Sequence, residues 1–178
     1  MLINMEGVVM IEYLDVYDNL GNVTGKVIKR GDKKVELSDN EHIAVGVIYI
    51  ENNNDEFLMQ KTSLSKGGLY SSTGGHICCG ESPLESIKRE VLEELGIDIS
   101  NDKIVELGFI LYDKPIRYMF YLKKDIDLDK IALQKEEVDY VEYMTINQIK
   151  ELIDKKLITE SHGKIFEEVL KYKKTGLI

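Results

Sequence analysis

An α/β domain is what this chain predicts, on three observations. Strand-like segments, either alternating or continuously apolar, are interspersed with segments whose apolar residues recur at helical spacing. One of those helical segments opens in capping-box order with proline at its first position and closes on glycine. The 178 residues are 43% hydrophobic, enough for one substantial core without disulfides or a structural metal.

Tyr13 to Tyr17 and Val23 to Ile28 alternate apolar and polar residues around Asn19-Leu20-Gly21-Asn22, which predicts a hairpin added to the sheet. Ile43 to Ile50 is nearly continuous apolar sequence and therefore a central strand. Asn52 to Asp55 is a turn, and Glu56 to Lys61 is the partner strand beyond it. The helix begins at Ser82-Pro83-Leu84-Glu85, carries Leu84, Ile87, Val91 and Leu95 along its core-facing stripe, and stops at Gly96. Ile104 to Leu111 and Arg117 to Leu122 read as strands separated by Asp113-Lys114-Pro115, and Val138 to Met144 as the last strand. Ile146 to Ile153 and Lys164 to Tyr172 are amphipathic helices that should cover the sheet.

The chemistry lies in the spacing from Gly75 through Glu81, Arg89, Glu90, Glu93, Glu94 and Gly96 to Ile97. At about 100° per residue, Glu90, Glu93 and Glu94 fall within roughly 100° of arc, beside the apolar stripe, and face one point. Carboxylates so close repel by a few tenths of a kcal/mol per pair, roughly, unless something compensates. A hard cation does so, and Mg²⁺ prefers a few carboxylates together with waters and phosphate oxygens. An isolated Glu-Glu pair is ordinarily just a solvated acidic face. The complete spacing is different, since a chance match is on the order of one in a million.

These residues are similar to the signature of the Nudix hydrolase family, and the match runs without departure from Gly75 to Ile97. The resemblance implies an α/β/α sandwich with a mixed sheet, dependence on Mg²⁺ or Mn²⁺, and attack of water on a phosphorus of a nucleoside diphosphate derivative. It implies Glu90 and Glu94 as metal ligands, Glu93 as a third and the Gly74 carbonyl as a fourth. Gly75, Glu81, Arg89 and Gly96 are then the structural brace. Residues 1–38 are read as an extension of the same domain and 39–178 as the Nudix domain proper.

Charge supports that reading. With 32 acidic against 23 basic residues and net charge −9, the chain repels an anionic substrate unless bound cations reverse the local sign. A carboxylate must also accept the proton of the attacking water. Glu90 is one candidate, and Glu136 or Glu137 in the acidic segment Gln134 to Asp139 is the other. Of only three arginines, Arg89 belongs to the brace, leaving Arg30 and Arg117 for phosphate recognition. Tyr70, Tyr112, Tyr118 and Phe120 are of the type that stacks on a base, though such residues on strands more often serve the core.

The substrate is expected to be a small nucleotide-derived molecule. Scattered lysine pairs in an acidic chain make no stripe for polymeric nucleic acid. The run from Val8 to Ile11 is too short to cross a bilayer, so no membrane partner is expected, and the adjacent Cys78 and Cys79 do not bridge comfortably, which predicts a cytoplasmic setting. The N-terminal hairpin and Ser72-Thr73-Gly74-Gly75-His76 also resemble the isopentenyl-diphosphate isomerase branch. That reaction needs a cysteine where this chain has Gly74, and Cys78 and Cys79 come four and five residues later. A non-catalytic nucleotide sensor is the third reading. The sequence leaves open the nucleotide, whether a homodimer completes the pocket, and whether the start is Met1 or Met5.

Overall fold

Alternation along one strand decides the layers of this protein. The computed structural model describes residues 11–176 and residue 178; the choice between Met1 and Met5, and all of the Val8 to Ile11 run but its last residue, lie outside them. Nine strands and three α-helices are formed among the described residues: β1 Tyr13–Tyr17, β2 Val23–Lys29, β3 Ala44–Glu51, β4 Glu56–Thr62, β5 Tyr70–Ser71, β6 Thr73–His76, α1 Pro83–Leu95, β7 Val105–Leu111, β8 Ile116–Lys123, β9 Val138–Thr145, α2 Ile146–Asp154 and α3 Glu160–Thr175.

Ile48 and Ile50 of β3 join Leu58, Phe120 and Leu122 and meet Ile87, Val91 and Leu95 of α1. The intervening Val47 and Tyr49 join Phe57, Met59, Met119 and Tyr121 on the opposite face, where Ile149 of α2 and Ile165, Phe166 and Val169 of α3 cover them. Period-two alternation of a doubly buried strand thus produces a helix–sheet–helix arrangement. The main sheet is mixed: β3 pairs with β8 in parallel from Ala44↔Ile116 to Glu51↔Lys123, and its other contacts are antiparallel.

Two expectations need correction. The hairpin of β1 and β2 is a two-stranded sheet of its own, joined to the rest by the antiparallel bridge of Tyr17 to His42. It has no edge of β3 to extend, because β8 occupies one side and β6 with the start of β4 the other. Likewise β3 and β4 pair only beside their turn, at Glu51↔Phe57. Beyond that point the two diverge: β6 takes β3 from Val45↔His76 to Ile48↔Thr73, while β4 runs against β9 and, at Gln60 and Lys61, against β5.

The helices begin for local reasons. Ser82 accepts from the Glu85 N–H while the Glu85 carboxylate accepts from the Ser82 N–H, and Thr145 with Gln148 repeats the arrangement on α2. Gly96 ends α1 at φ 68°, and a Cβ there would stand 2.8 Å from the Ala132 methyl. By contrast α3 starts a turn before the expected Lys164, across Glu160, Ser161, His162 and Gly163, with no side-chain cap from Thr159. Weak helix formers hid that first turn from the sequence pattern. Packing on α2 supports it, since Ile153 lies against Gly163.

Candidate active site

A glycine strand, a turn and the second half of α1 bring the acids of the motif to one end of β3. Arg89 holds this segment together with nearly its whole fork. Its Nε donates to Glu81 Oε1 at 2.7 Å and its Nη2 to Glu81 Oε2 and to the His76 carbonyl at 3.0 Å each. Its Nη1 donates to Glu90 Oε1 at 2.8 Å and to Glu93 Oε2 at 3.0 Å. Glu81 in turn accepts the Cys78 N–H at 3.0 Å, so the turn is tied to the helix by bidentate, charge-assisted bonds. Gly75 faces Glu90 at such close range that a Cβ would fall inside its carboxyl group.

A cavity of about 340 Å³ opens here, and its lining includes Glu90, Glu93, Glu94 and Glu137 together with Arg30, Lys66, Arg117 and His162. Glu94 is 8% exposed and held by the Gln60 side-chain amide at 2.9 Å. Burial pushes its carboxyl up to about 8; the Gln60 and Gly74 N–H donors oppose this, and the nearby charges of Glu90 and Glu137 reinforce it. Burial raises Glu90 also, against the lowering effect of Arg89. Two crowded, largely buried carboxylates with a third beside them make a donor set of hard oxygens that suits Mg²⁺ or Mn²⁺.

The side chains do not all face one spot, as the helical arc suggested. Glu90 and Glu93 turn to Arg89, Glu94 turns to Gln60, and among the described residues no three His, Cys, Asp or Glu side chains form a ready ion cage. The compensating charge that spacing alone assigned to an external cation is partly internal, supplied by Arg89.

Of the two acids in the later segment, Glu137 lines the cavity and pairs with Lys66 at 2.7 Å, whereas Glu136 is not in the lining and its carbonyl accepts the Ser63 hydroxyl at 2.8 Å. Arg30, just beyond β2, reaches the cavity from the hairpin while paired with Glu12. Arg117 donates to the Tyr112 and Pro115 carbonyls, and among the described residues no carboxylate stands within ion-pair distance of it. None of the four candidate stacking aromatics lines the cavity. Phe120 is core, Tyr118 packs on Tyr17 and Phe109, Tyr70 bonds Tyr140, and Tyr112 lies beneath Lys164. His76 lies on β6 in the cavity wall, and burial with Arg30 nearby pushes its imidazole down to about 4.

Gln60, Lys66, Ser161 and His162 escaped the sequence reading. Gln60 was legible only as a polar residue at an inward position of a buried strand. His162 offered no signal, because its helical turn was not read as helix.

An acidic cavity at the end of a helix–sheet–helix sandwich, braced by an arginine fork, defines a class of enzymes that act on phosphate anhydrides. The NUDIX domain model matches residues 40–169, and the chain belongs to that family. It is therefore a Nudix hydrolase, of the kind that cleaves pyrophosphate bonds. It is 28% identical to Nudix hydrolase 3 of Arabidopsis thaliana over 88% of this chain, but that match spans only 23% of the plant protein. An uncharacterized Nudix hydrolase of Listeria monocytogenes is 31% identical over 80% of this chain and 85% of its own. The isomerase branch is also represented: the isopentenyl-diphosphate Delta-isomerase of Corynebacterium diphtheriae is 32% identical across 58% of this chain and 56% of its own. Among solved structures, DR0079 of Deinococcus radiodurans superposes with a TM-score of 0.73 at 18% identity, over 86% of this chain and 96% of that one. The NUDIX domain of Shewanella oneidensis NrtR, complexed with ADP-ribose, superposes with a TM-score of 0.61 at 14% identity, over 80% and 93%. Among the described residues no helix is long and apolar enough to cross a membrane.

Proposed function

We propose that this chain is a cytosolic, Mg²⁺- or Mn²⁺-dependent hydrolase of a small nucleoside diphosphate derivative. The observation that carries the reading is the meeting of Glu90, Glu93, Glu94 and Glu137 with Arg30 and Arg117 in the wall of one cavity. Glu90, Glu93 and Glu94 would hold the cation, with the Gly74 carbonyl beside them. When bound, it neutralises phosphate charge and lowers the pKa of water. The chain's own residues do the rest. Arg89 fixes Glu90 and Glu93 on the helix, and Gly75 leaves room for the Glu90 carboxyl. Arg30 and Arg117 supply positive charge for the phosphates. Glu90 or Glu137 takes the proton from the attacking water; Glu137 must first part from Lys66 to do so. The unbridged Cys78 and Cys79 suit a reducing compartment.

Isomerisation is the weaker reading, because neither thiol is in the cavity lining and Gly74 supplies no acid. The hydrolase reading and that of a silent nucleotide sensor are separated by one measurement: product release from nucleoside diphosphate sugars, ADP-ribose, dinucleoside polyphosphates and nucleoside triphosphates, with Mg²⁺ and with chelator. ADP-ribose belongs in the panel because the Shewanella neighbour is complexed with it. Mg²⁺-dependent turnover of any of these supports the proposal. Metal-dependent binding without turnover makes the chain a sensor.

A further inference from the structure

His162 has a role that neither the acidic motif nor the arginines account for. It is the third residue of α3, the helix on the face of the sheet opposite α1, and it reaches the cavity that the α1 carboxylates line. Its ring is held from one side. The backbone N–H of Ser72, in the kink between β5 and β6, lies 3.1 Å from Nδ1, and the Ser72 hydroxyl lies 2.9 Å from the same nitrogen. The Tyr49 hydroxyl donates to the His162 carbonyl at 2.8 Å and fixes the backbone as well. Ser72 is itself 1% exposed, and its carbonyl faces the Gln60 amide that also holds Glu94. One short segment of β-structure therefore positions both His162 and the most buried acid of the motif.

A backbone N–H can only donate, so Nδ1 must be the accepting nitrogen. A neutral imidazole whose Nδ1 accepts carries its proton on Nε2. Burial, with the charge of Arg117 nearby, pushes the ring down to about 4 and keeps it neutral at physiological pH. Among the described residues no protein group is hydrogen-bonded to Nε2. Arg117, a donor that cannot accept, shares the cavity lining with it and has no carboxylate within ion-pair distance among the described residues. Arg117 is held by the Tyr112 and Pro115 carbonyls, while the Nε2–H of His162 has no acceptor among the described residues and suits an acceptor oxygen from outside.

Resting on the reading of the cavity as a substrate chamber, we infer that His162 is a substrate-binding residue whose Nε2–H donates to an oxygen of the bound diphosphate, next to Arg117. Being neutral, it adds direction without adding charge, which distinguishes it from the arginines.

The test has two arms. In uniformly ¹⁵N-labelled wild-type protein at pH 7, long-range ¹H–¹⁵N correlation should find Nδ1 unprotonated and Nε2 protonated; the reverse tautomer overturns the inference. This arm uses the unaltered chain and decides even if a variant misfolds. The second arm takes whichever panel compound wild type turns over fastest. His162→Asn keeps an acceptor for the Ser72 N–H but lacks a donor at the distance of Nε2, whereas His162→Gln reaches that distance with an amide N–H. The Asn variant should raise KM roughly tenfold with little change in kcat, and the Gln variant should recover most of that loss. An unchanged KM in His162→Asn overturns the inference while leaving the hydrolase reading intact. If wild type turns over nothing in the panel, the hydrolase reading falls separately. Mg²⁺ with ADP-ribose is then titrated into the labelled wild type as a stable mixture: a displaced Nε2–H resonance upholds the donor role, and a stationary one overturns it.

Discussion

At the scale of single residues, Glu94 and His162 are opposite solutions to burial. Burial drives the carboxyl up and the imidazole down, so both drift toward neutrality, and what differs is what each can recruit. For Glu94 the expected outcome of Glu94→Gln is a folded protein with Mg²⁺-dependent turnover lowered at least about a hundredfold, because the amide keeps the shape and loses the charge. Steady-state rates on the panel, with circular dichroism as the folding control, check this. His162 makes a prediction about pH. Its folded-state value near 4 lies below the ordinary imidazole value, so between about 6.5 and 4 the unfolded chain binds the extra proton. Stability should fall as pH drops through that window, by up to about 3 kcal/mol from this residue. His76, pushed the same way, adds to it. Urea midpoints at pH 7 and pH 4.5, compared between wild type and His162→Gln, measure the share of His162, and equal pH slopes would refute it.

At the scale of elements, α1 was legible almost to the residue, while the first turn of α3 was not. The capping box, the apolar stripe and the terminal glycine of α1 are all local signals, so reading them needed no tertiary information. The short strands β5 and β6 are absent from the sequence reading, β6 because Gly74 and Gly75 have little strand propensity; β5 pairs with β4 and β6 with β3, whose edges lie open beside them. Site residues followed the same division. The acids of the motif were found by spacing, whereas Gln60, Lys66 and His162 arrive from β4, the turn after β4 and α3, where only the assembled sheet brings them together. The contact of α3 with the sheet is the easiest of these long-range associations to test. Phe166 is fully buried and its ring lies edge-on to Phe57 at 5.1 Å and close to Tyr49 at 5.2 Å. Phe166→Ala should cost about 3–5 kcal/mol in denaturant unfolding, and it should weaken catalysis through loosened placement of His162.

At the scale of the whole molecule, the proposed cation site predicts that stability depends on what is bound. Mg²⁺ at about a hundred times its Kd should stabilise the fold by roughly 2.7 kcal/mol, which for a chain of this size shifts Tm by about 5–10 °C. Thermal melts with Mg²⁺ and with chelator test this, and Glu94→Gln should lose most of the shift. The parallel register of β3 with β8 has a different reach. Residues 44–51 cannot complete their pairing until residues 116–123 have been synthesised, although α1 and its capping box can form from local sequence well before. A nascent or truncated chain ending ahead of Ile116 would present the Val47-Ile48-Tyr49-Ile50 edge bare to its neighbours. Ribosome-bound fragments of this protein should therefore aggregate when released just short of β8, and should become soluble only once β9, α2 and α3 have also emerged to cover the second face of the sheet.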